Sequence, residues 1–207
     1  WQRRQSVKGI QLQNAEKTAL SIKVLATNYI RSFKPNGPAR KIDGLWKKPV
    51  HGMVKINVDA AFQSETLSGA TGAVARGERG DFVAVAFWFL PNVTDVDSAE
   101  LIAIRNRMFL ASQIGCSRVM FESDSSFAVE AINQLEGYLG PEVATIAECK
   151  NLMLDYEKIS FNHCFREANM VADEIAKYSF SNRSSVVWED ETPAFISHLL
   201  VNDMSII

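Results

Sequence analysis

"VKINVDAAFQSETLSGATGAVARGERGDFVAVAFWFL", residues 54–90, sets the architecture that the rest of the chain extends. Val54, Ile56 and Val58 alternate with Lys55, Asn57 and Asp59, the period-two pattern of a half-buried strand. Residues 68–90 hold two further strands, joined by a glycine-containing turn near Gly77–Asp81. Three strands linked this closely make an antiparallel meander. The last of them, FVAVAFWFL (82–90), is an apolar run about half the length a bilayer span needs. Its aromatic and β-branched content marks a buried strand, and no membrane association is expected.

On the C-terminal side the pattern changes to alternating helices and strands. DSAELIAIRNRMFLASQIG (97–115) reads as a capped, glycine-terminated helix, and SRVMFES (117–123) as a buried strand. SSFAVEAINQLE (125–136) continues as a helix, and a second helix begins at Pro141, where proline is tolerated. ISFNHCF (159–165) is a fifth strand and ANMVADEIAKYSF (168–180) a last helix. The order βββαβααβα implies parallel pairing, with right-handed crossovers, for the strands separated by helices. The expected fold is α/β: a mixed five-stranded sheet, three antiparallel strands then parallel additions, with helices on both faces. Residues 184–207 lack Lys and Arg, show little periodicity and read as a C-terminal tail. On the N-terminal side, residues 14–33 have helical spacing and KPNGPARK (34–41) is a Pro/Gly break. The division is therefore a basic helical arm and linker (1–41), a folded domain (42–183) and the tail (184–207).

The chain has 207 residues, 47% hydrophobic and 22% charged, an ordinary balance for a globular domain with flanks. Cys116, Cys149 and Cys164 are odd in number and lack metal-ligand spacing, so reduced thiols and an intracellular setting are expected. Nothing separates cytoplasm from nucleus. The chain starts at Trp1, as expected of a piece of a longer polypeptide. Its net charge of −2 conceals an asymmetry. Residues 1–55 hold twelve Lys or Arg against two acids, and residues 56–207 hold ten against twenty-two. The acidic body argues against a broad electrostatic footprint for nucleic acid; the basic arm could supply one, or its scattered bases could simply keep a linker soluble.

Four carboxylates stand out. Each has an ordinary explanation: Asp59 as a turn former, Glu100 as the third position of a capping box begun at Asp97, Asp124 as a helix N-cap, Asp173 as a partner of Lys177 one turn on. Together they read differently. Asp59 and Asp124 end strands, while Glu100 and Asp173 sit in the first turns of helices. In an α/β sheet these positions converge on one rim. Four carboxylates there would repel, and divalent cations would remove the repulsion. All-oxygen ligands suit Mg²⁺ or Mn²⁺, and two such ions serve phosphodiester cleavage.

INVDAAF (56–62), SAELIAI (98–104), FESDSS (121–126) and HCFREANMVADEIAK (163–177) resemble, in order and spacing, the type 1 ribonuclease H family. They are most like the ribonuclease-H-like domains of plant non-LTR retroelement reverse transcriptases and their stand-alone relatives. The resemblance covers about residues 54–180, and LWKKPVHGMVK and WEDETPAFISHLL are similar on the flanks. It implies a metal-dependent endonuclease cutting the RNA strand of RNA–DNA hybrids, with two Mg²⁺ or Mn²⁺ ions held by Asp59, Glu100, Asp124 and Asp173. It implies a catalytic role for His163, ten residues before Asp173, in moving protons or releasing product. It places Asn169, Ser125 and Ala60 on the substrate side, with Asn169 sharing the environment of Asp173. Ala172 and Ala176 are expected to leave room for a phosphate. An upstream polymerase domain is an expected partner in a longer chain. Two departures support a rival reading, a retroelement-derived nucleic-acid-binding or protein-interaction domain with little turnover. Ala60 follows the first Asp where the family has glycine, and residues 125–142 contain no Lys or Arg where some relatives carry a basic helix.

Overall fold

A computed structural model describes residues 44–113, 115–134, 138, 140–189 and 191–205. The helix read at 14–33 and the linker at 34–41 lie outside the described residues. The meander is formed by β1 (Val54–Gln63), β2 (Ser68–Arg76) and β3 (Phe82–Leu90). After it come α1 (Val96–Gln113), β4 (Arg118–Ser123), α2 (Ser126–Asn133), α3 (Val143–Leu152), β5 (Lys158–His163) and α4 (Met170–Asn182). The chain then adds β6 (Val186–Trp188) and α5 (Ala194–Ser205).

The strands form one sheet in the order β5-β4-β1-β2-β3-β6. β1 pairs antiparallel with β2 and parallel with β4, β4 pairs parallel with β5, and β2 with β3 antiparallel. This is the expected mixed sheet with one strand more. Val186, Val187 and Trp188 pair antiparallel with Phe87, Ala86 and Val85. Three residues are too few to show alternation, so the stretch read as tail carried no strand signal.

Alternation sorts the core into two layers. Ile56, Val58, Ala73, Ala75 and Ala84 pack with Leu101, Ile104 and Met108 of α1 and with buried residues of α2 and α3. The other face of β2 and β3, through Val74, Val85 and Phe87, packs with Val171 and Ile175 of α4 and Ile196 of α5. β1 is central and covered on both sides. Its polar positions are therefore not solvated as expected of a half-buried strand: Lys55, Asn57 and Asp59 are 2%, 0% and 6% exposed.

α4 lies very close to β2 at Gly72. A Cβ on Gly72 would sit 2.3 Å from the Ala176 nitrogen and 2.5 Å from the Ala172 carbonyl oxygen. The two alanines are buried, so their small size serves helix–strand contact and not the approach of a phosphate. Among the described residues no helix is long and apolar enough to cross a membrane.

Candidate active site

Asp59 lies in the interior of β1, two residues past its last pairing with β4, and not at the strand end expected of it. Beyond Asn57 the two strands diverge, and Asp124 follows the end of β4 in this opening. Asp124 is not the N-cap of α2. That duty falls to Ser125, whose Oγ accepts from the Ala128 N–H at 3.2 Å, so the Asp124 carboxylate is not engaged in capping. Ser125 thus has a structural task beside the substrate-side role expected of it.

Glu100 is likewise not part of a capping box begun at Asp97. α1 starts one residue earlier, and the Asp95 carboxylate accepts from the Ser98 N–H at 2.7 Å. Glu100 is instead buried in the first turns of α1, 6% exposed. Oxygen atoms of Asp59, Glu100 and Asp124 all lie within 4.8 Å of one another.

Burial and mutual repulsion shape the electrostatics of this trio. Desolvation, then the charges of Asp124 and Asp173, push the Asp59 carboxyl up to about 8. Burial, then Asp59 and Asp124, hold Glu100 well above the ordinary carboxylate range. The Ala60 N–H donates to Asp59 Oδ1 at 2.9 Å. Glu100 Oε2 is buried and has no hydrogen-bond partner. An orphaned buried oxygen among three carboxylates fits a hard cation: it supplies the missing partner and cancels the repulsion.

Asp173 stands apart from the trio. Its carboxylate pairs with Lys177 at 2.5 Å on the same helix and with Arg166 at 4.0 Å. Its charge still reaches Asp59, so it flanks the cluster without joining it. Asn169, expected beside Asp173, turns the other way. Its Nδ2 donates to the Val58 carbonyl at 2.9 Å and to Asp124 Oδ1 at 3.2 Å. His163 is exposed at the end of β5, its Nε2 3.2 Å from the Asp124 carbonyl oxygen. Ala60 packs partly against the α1-side core, in line with Val58.

Residues without a sequence signal of their own complete the surroundings. Lys55 Nζ meets Glu122 Oε1 at 2.5 Å, and Arg76 meets Asp203 of α5 at 2.6 Å. Trp46 lies beneath Arg76, whose guanidinium carbon is 3.6 Å from the ring centre. The available clue was topological. A strand expected to carry helices on both faces must bury its polar side, and buried polar groups need partners. A separate cavity of about 630 Å³, lined by Trp88, Arg105, Phe109, Leu110, Glu148 and Leu152 among others, contains none of Asp59, Glu100, Asp124 and Asp173.

Residues 57–179 match the family described as reverse transcriptase-like. An Arabidopsis thaliana protein, named as a candidate ribonuclease H, is 27% identical over 158 residues, 76% of this chain. The chain spans about a quarter of the length of that relative, 25%. Ribonuclease H1 of the archaeon Halobacterium salinarum superposes with a TM-score of 0.58 at 20% identity, over 64% of this chain and all of that one (100%). The compost-derived LC11 ribonuclease H1, solved in complex with an RNA/DNA hybrid, gives 0.54 at 17% identity, covering 63% and 98% of the two chains. At these identities the structures establish a common fold.

Proposed function

This chain belongs to the reverse transcriptase-like family and carries a ribonuclease-H-like domain, and from that premise we propose that it is a divalent-metal-dependent endonuclease hydrolysing the RNA strand of RNA–DNA hybrids. The observation that carries this reading is the convergence of Asp59, Glu100 and Asp124 within 4.8 Å. Three hard oxygen donors, one of them orphaned, suit Mg²⁺ or Mn²⁺, with two ions in the active state. Such ions, when bound, make a water more acidic and offset charge on the leaving oxygen of a phosphodiester.

The residues have distinct tasks in this reading. Asp59 and Glu100 hold cation with oxygens whose ionisation is otherwise disfavoured. Asp124 completes the set, steadied by the Asn169 amide. Asp173, paired with Lys177 at 2.5 Å, would contribute an oxygen to a second site beside the trio. The exposed His163 imidazole, seated over the Asp124 carbonyl, moves a proton at the rim. The cluster lies outside the apolar cavity, which suits a polymer better than a small ligand. Preference for the RNA strand rests on the 2′-hydroxyl, the group by which a protein distinguishes RNA from DNA. The hybrid seen in complex with the LC11 enzyme, and the Arabidopsis relative's name, support this substrate. The family's description supports an upstream polymerase domain in a longer polypeptide.

A second reading, a binding domain with little turnover, is favoured by the Lys177–Asp173 pair and by the lack of Lys and Arg across residues 125–142. One gel experiment separates the two. Labelled RNA–DNA hybrid, single-stranded RNA and duplex DNA are incubated with and without Mg²⁺. Mg²⁺-dependent cleavage confined to the hybrid is expected; binding without cleavage establishes the second reading.

A further inference from the structure

We propose that Asn57 is a positioning residue: it orients Asn169, and through it Asp124, so that both flanks of the domain set the geometry of the metal-binding carboxylates. The inference rests on the reading of Asp124 as a metal ligand. Asn57 is fully buried, 0% exposed, and every hydrogen-bonding position of its amide is used. Its Oδ1 accepts from Trp46 Nε1 at 2.9 Å and from Arg76 Nη2 at 3.0 Å. Its Nδ2 donates to Glu122 Oε2 at 3.2 Å and to Asn169 Oδ1 at 3.4 Å.

The direction of this chain of bonds is forced by chemistry. An indole N–H and a guanidinium can only donate. Asn57 must therefore turn its oxygen toward Trp46 and Arg76, which turns its nitrogen toward Asn169. Asn169 must answer with its oxygen, which leaves its two amide hydrogens for the Val58 carbonyl and Asp124 Oδ1. Orientation thus passes without a free choice from two obligate donors to one carboxylate oxygen. One donor, Trp46, comes from outside the meander, and the other, Arg76, is the last residue of β2 and is tied to the C-terminal helix. Trp46 precedes β1, and Arg76 is held by Asp203 of α5 at 2.6 Å. Asp203 therefore gives the C-terminal helix a link to the site beyond its packing on α4.

The test is Mn²⁺ binding by calorimetry on the whole chain, with thermal melting to verify folding, for wild type, Asn57→Ala, Asn57→Asp, Asn169→Ala and the Asn57→Ala/Asn169→Ala pair. Loss of a residue that orients a metal ligand costs roughly 10- to 100-fold in metal affinity, and Asn57→Ala should fall in that range. The double variant should bind no more weakly than Asn169→Ala, because both changes cut one path. Asn57→Asp keeps volume and a partner for Arg76, but offers Asn169 an acceptor. Asn169 would then turn its nitrogen away from Asp124, so this variant should bind Mn²⁺ at least as weakly as Asn57→Ala. Were Asn57→Ala not to fold, Trp46→Phe removes one obligate donor while keeping the ring under Arg76, and should weaken Mn²⁺ roughly 2- to 10-fold. Wild-type affinity in folded Asn57 variants, or additive losses in the double variant, would overturn the proposal and leave the nuclease reading intact. Mn²⁺ binding by the wild type without hybrid cleavage would remove the nuclease reading alone, the affinities still deciding for Asn57. No Mn²⁺ binding by the wild type would overturn both.

Discussion

Asp59 and Glu100 are acids placed where acids are costly, and the cost has a measurable sign. The Asp59 carboxyl holds its proton up to about pH 8 when folded, against an ordinary value of 3.8. Between those values the folded chain binds more protons than the unfolded one, so stability falls as pH rises. Glu100, raised for the same reasons, acts in the same direction. Thermal melts in a chelator should therefore show Tm declining from about pH 4 to about pH 8, with Mg²⁺ restoring stability at the upper end. A flat or rising profile would mean that the trio is not crowded. Asp124→Asn tests the same conflict by chemistry. It should abolish hybrid cleavage yet leave the metal-free protein as stable or slightly more stable, since a like charge is removed. A large drop in Tm would show that Asp124 serves structure first, although Ser125 already caps α2.

Secondary-structure units position these residues through close packing, most tightly where α4 crosses β2. Gly72 of β2 meets the backbone of α4 at Ala172 and Ala176, on either side of Asp173. Gly72→Ala should push the helix outward and cost at least roughly 1–3 kcal/mol by overpacking. Cleavage should fall further than stability does, because Asp173 and Asn169 move with the helix. Denaturant unfolding beside single-turnover rates separates these effects, and an unchanged rate would show that α4 does not position the site. α1 illustrates the converse, a boundary that local chemistry shifts. Asp95 and Asp97 both suit an N-cap, and Asp95 takes the role because its carboxylate reaches the Ser98 N–H. That two-residue difference is what releases Glu100 from capping and leaves it facing Asp59.

The domain as a whole is acidic around its site, and the positive charge of the chain is concentrated before residue 56. If residues 1–41 supply phosphate contacts, deleting them should weaken hybrid binding and reduce its salt dependence. Each phosphate contact contributes a log–log slope of roughly −0.9 on duplex DNA, so losing three or four should flatten the slope by about three units. Cleavage at saturating hybrid should change little, because all four carboxylates follow the deletion. An unchanged slope would assign the arm a linker role and strengthen the reading without turnover. The deleted protein should stay folded: residues 44–205 hold both core layers and the whole described sheet.

How much was legible follows from the range of the forces involved. Alternation in β1 to β3 and helical spacing afterwards are local consequences of side-chain direction, so the order βββαβααβα and the mixed sheet could be read along the chain. The convergence of Asp59, Glu100 and Asp124 follows from topology, which brings β1, the first turns of α1 and the end of β4 to one rim. The place of Asp59 inside β1 and the pairing of Asp173 with Lys177 were not read from the sequence as a site feature. Other features depend on what lies across the fold. β6 is three residues long and exists because the edge of β3 offers it pairing partners. Lys55 and Asn57 looked solvated because their burial depends on α4 and on the segment around Trp46, far away in sequence. Asn169 was expected beside Asp173, its neighbour one turn on, yet its side chain answers to Asn57 and Asp124. A side-chain amide turns toward whichever donors and acceptors surround it, and that surrounding is assembled only when the sheet closes and the helices cover its two faces.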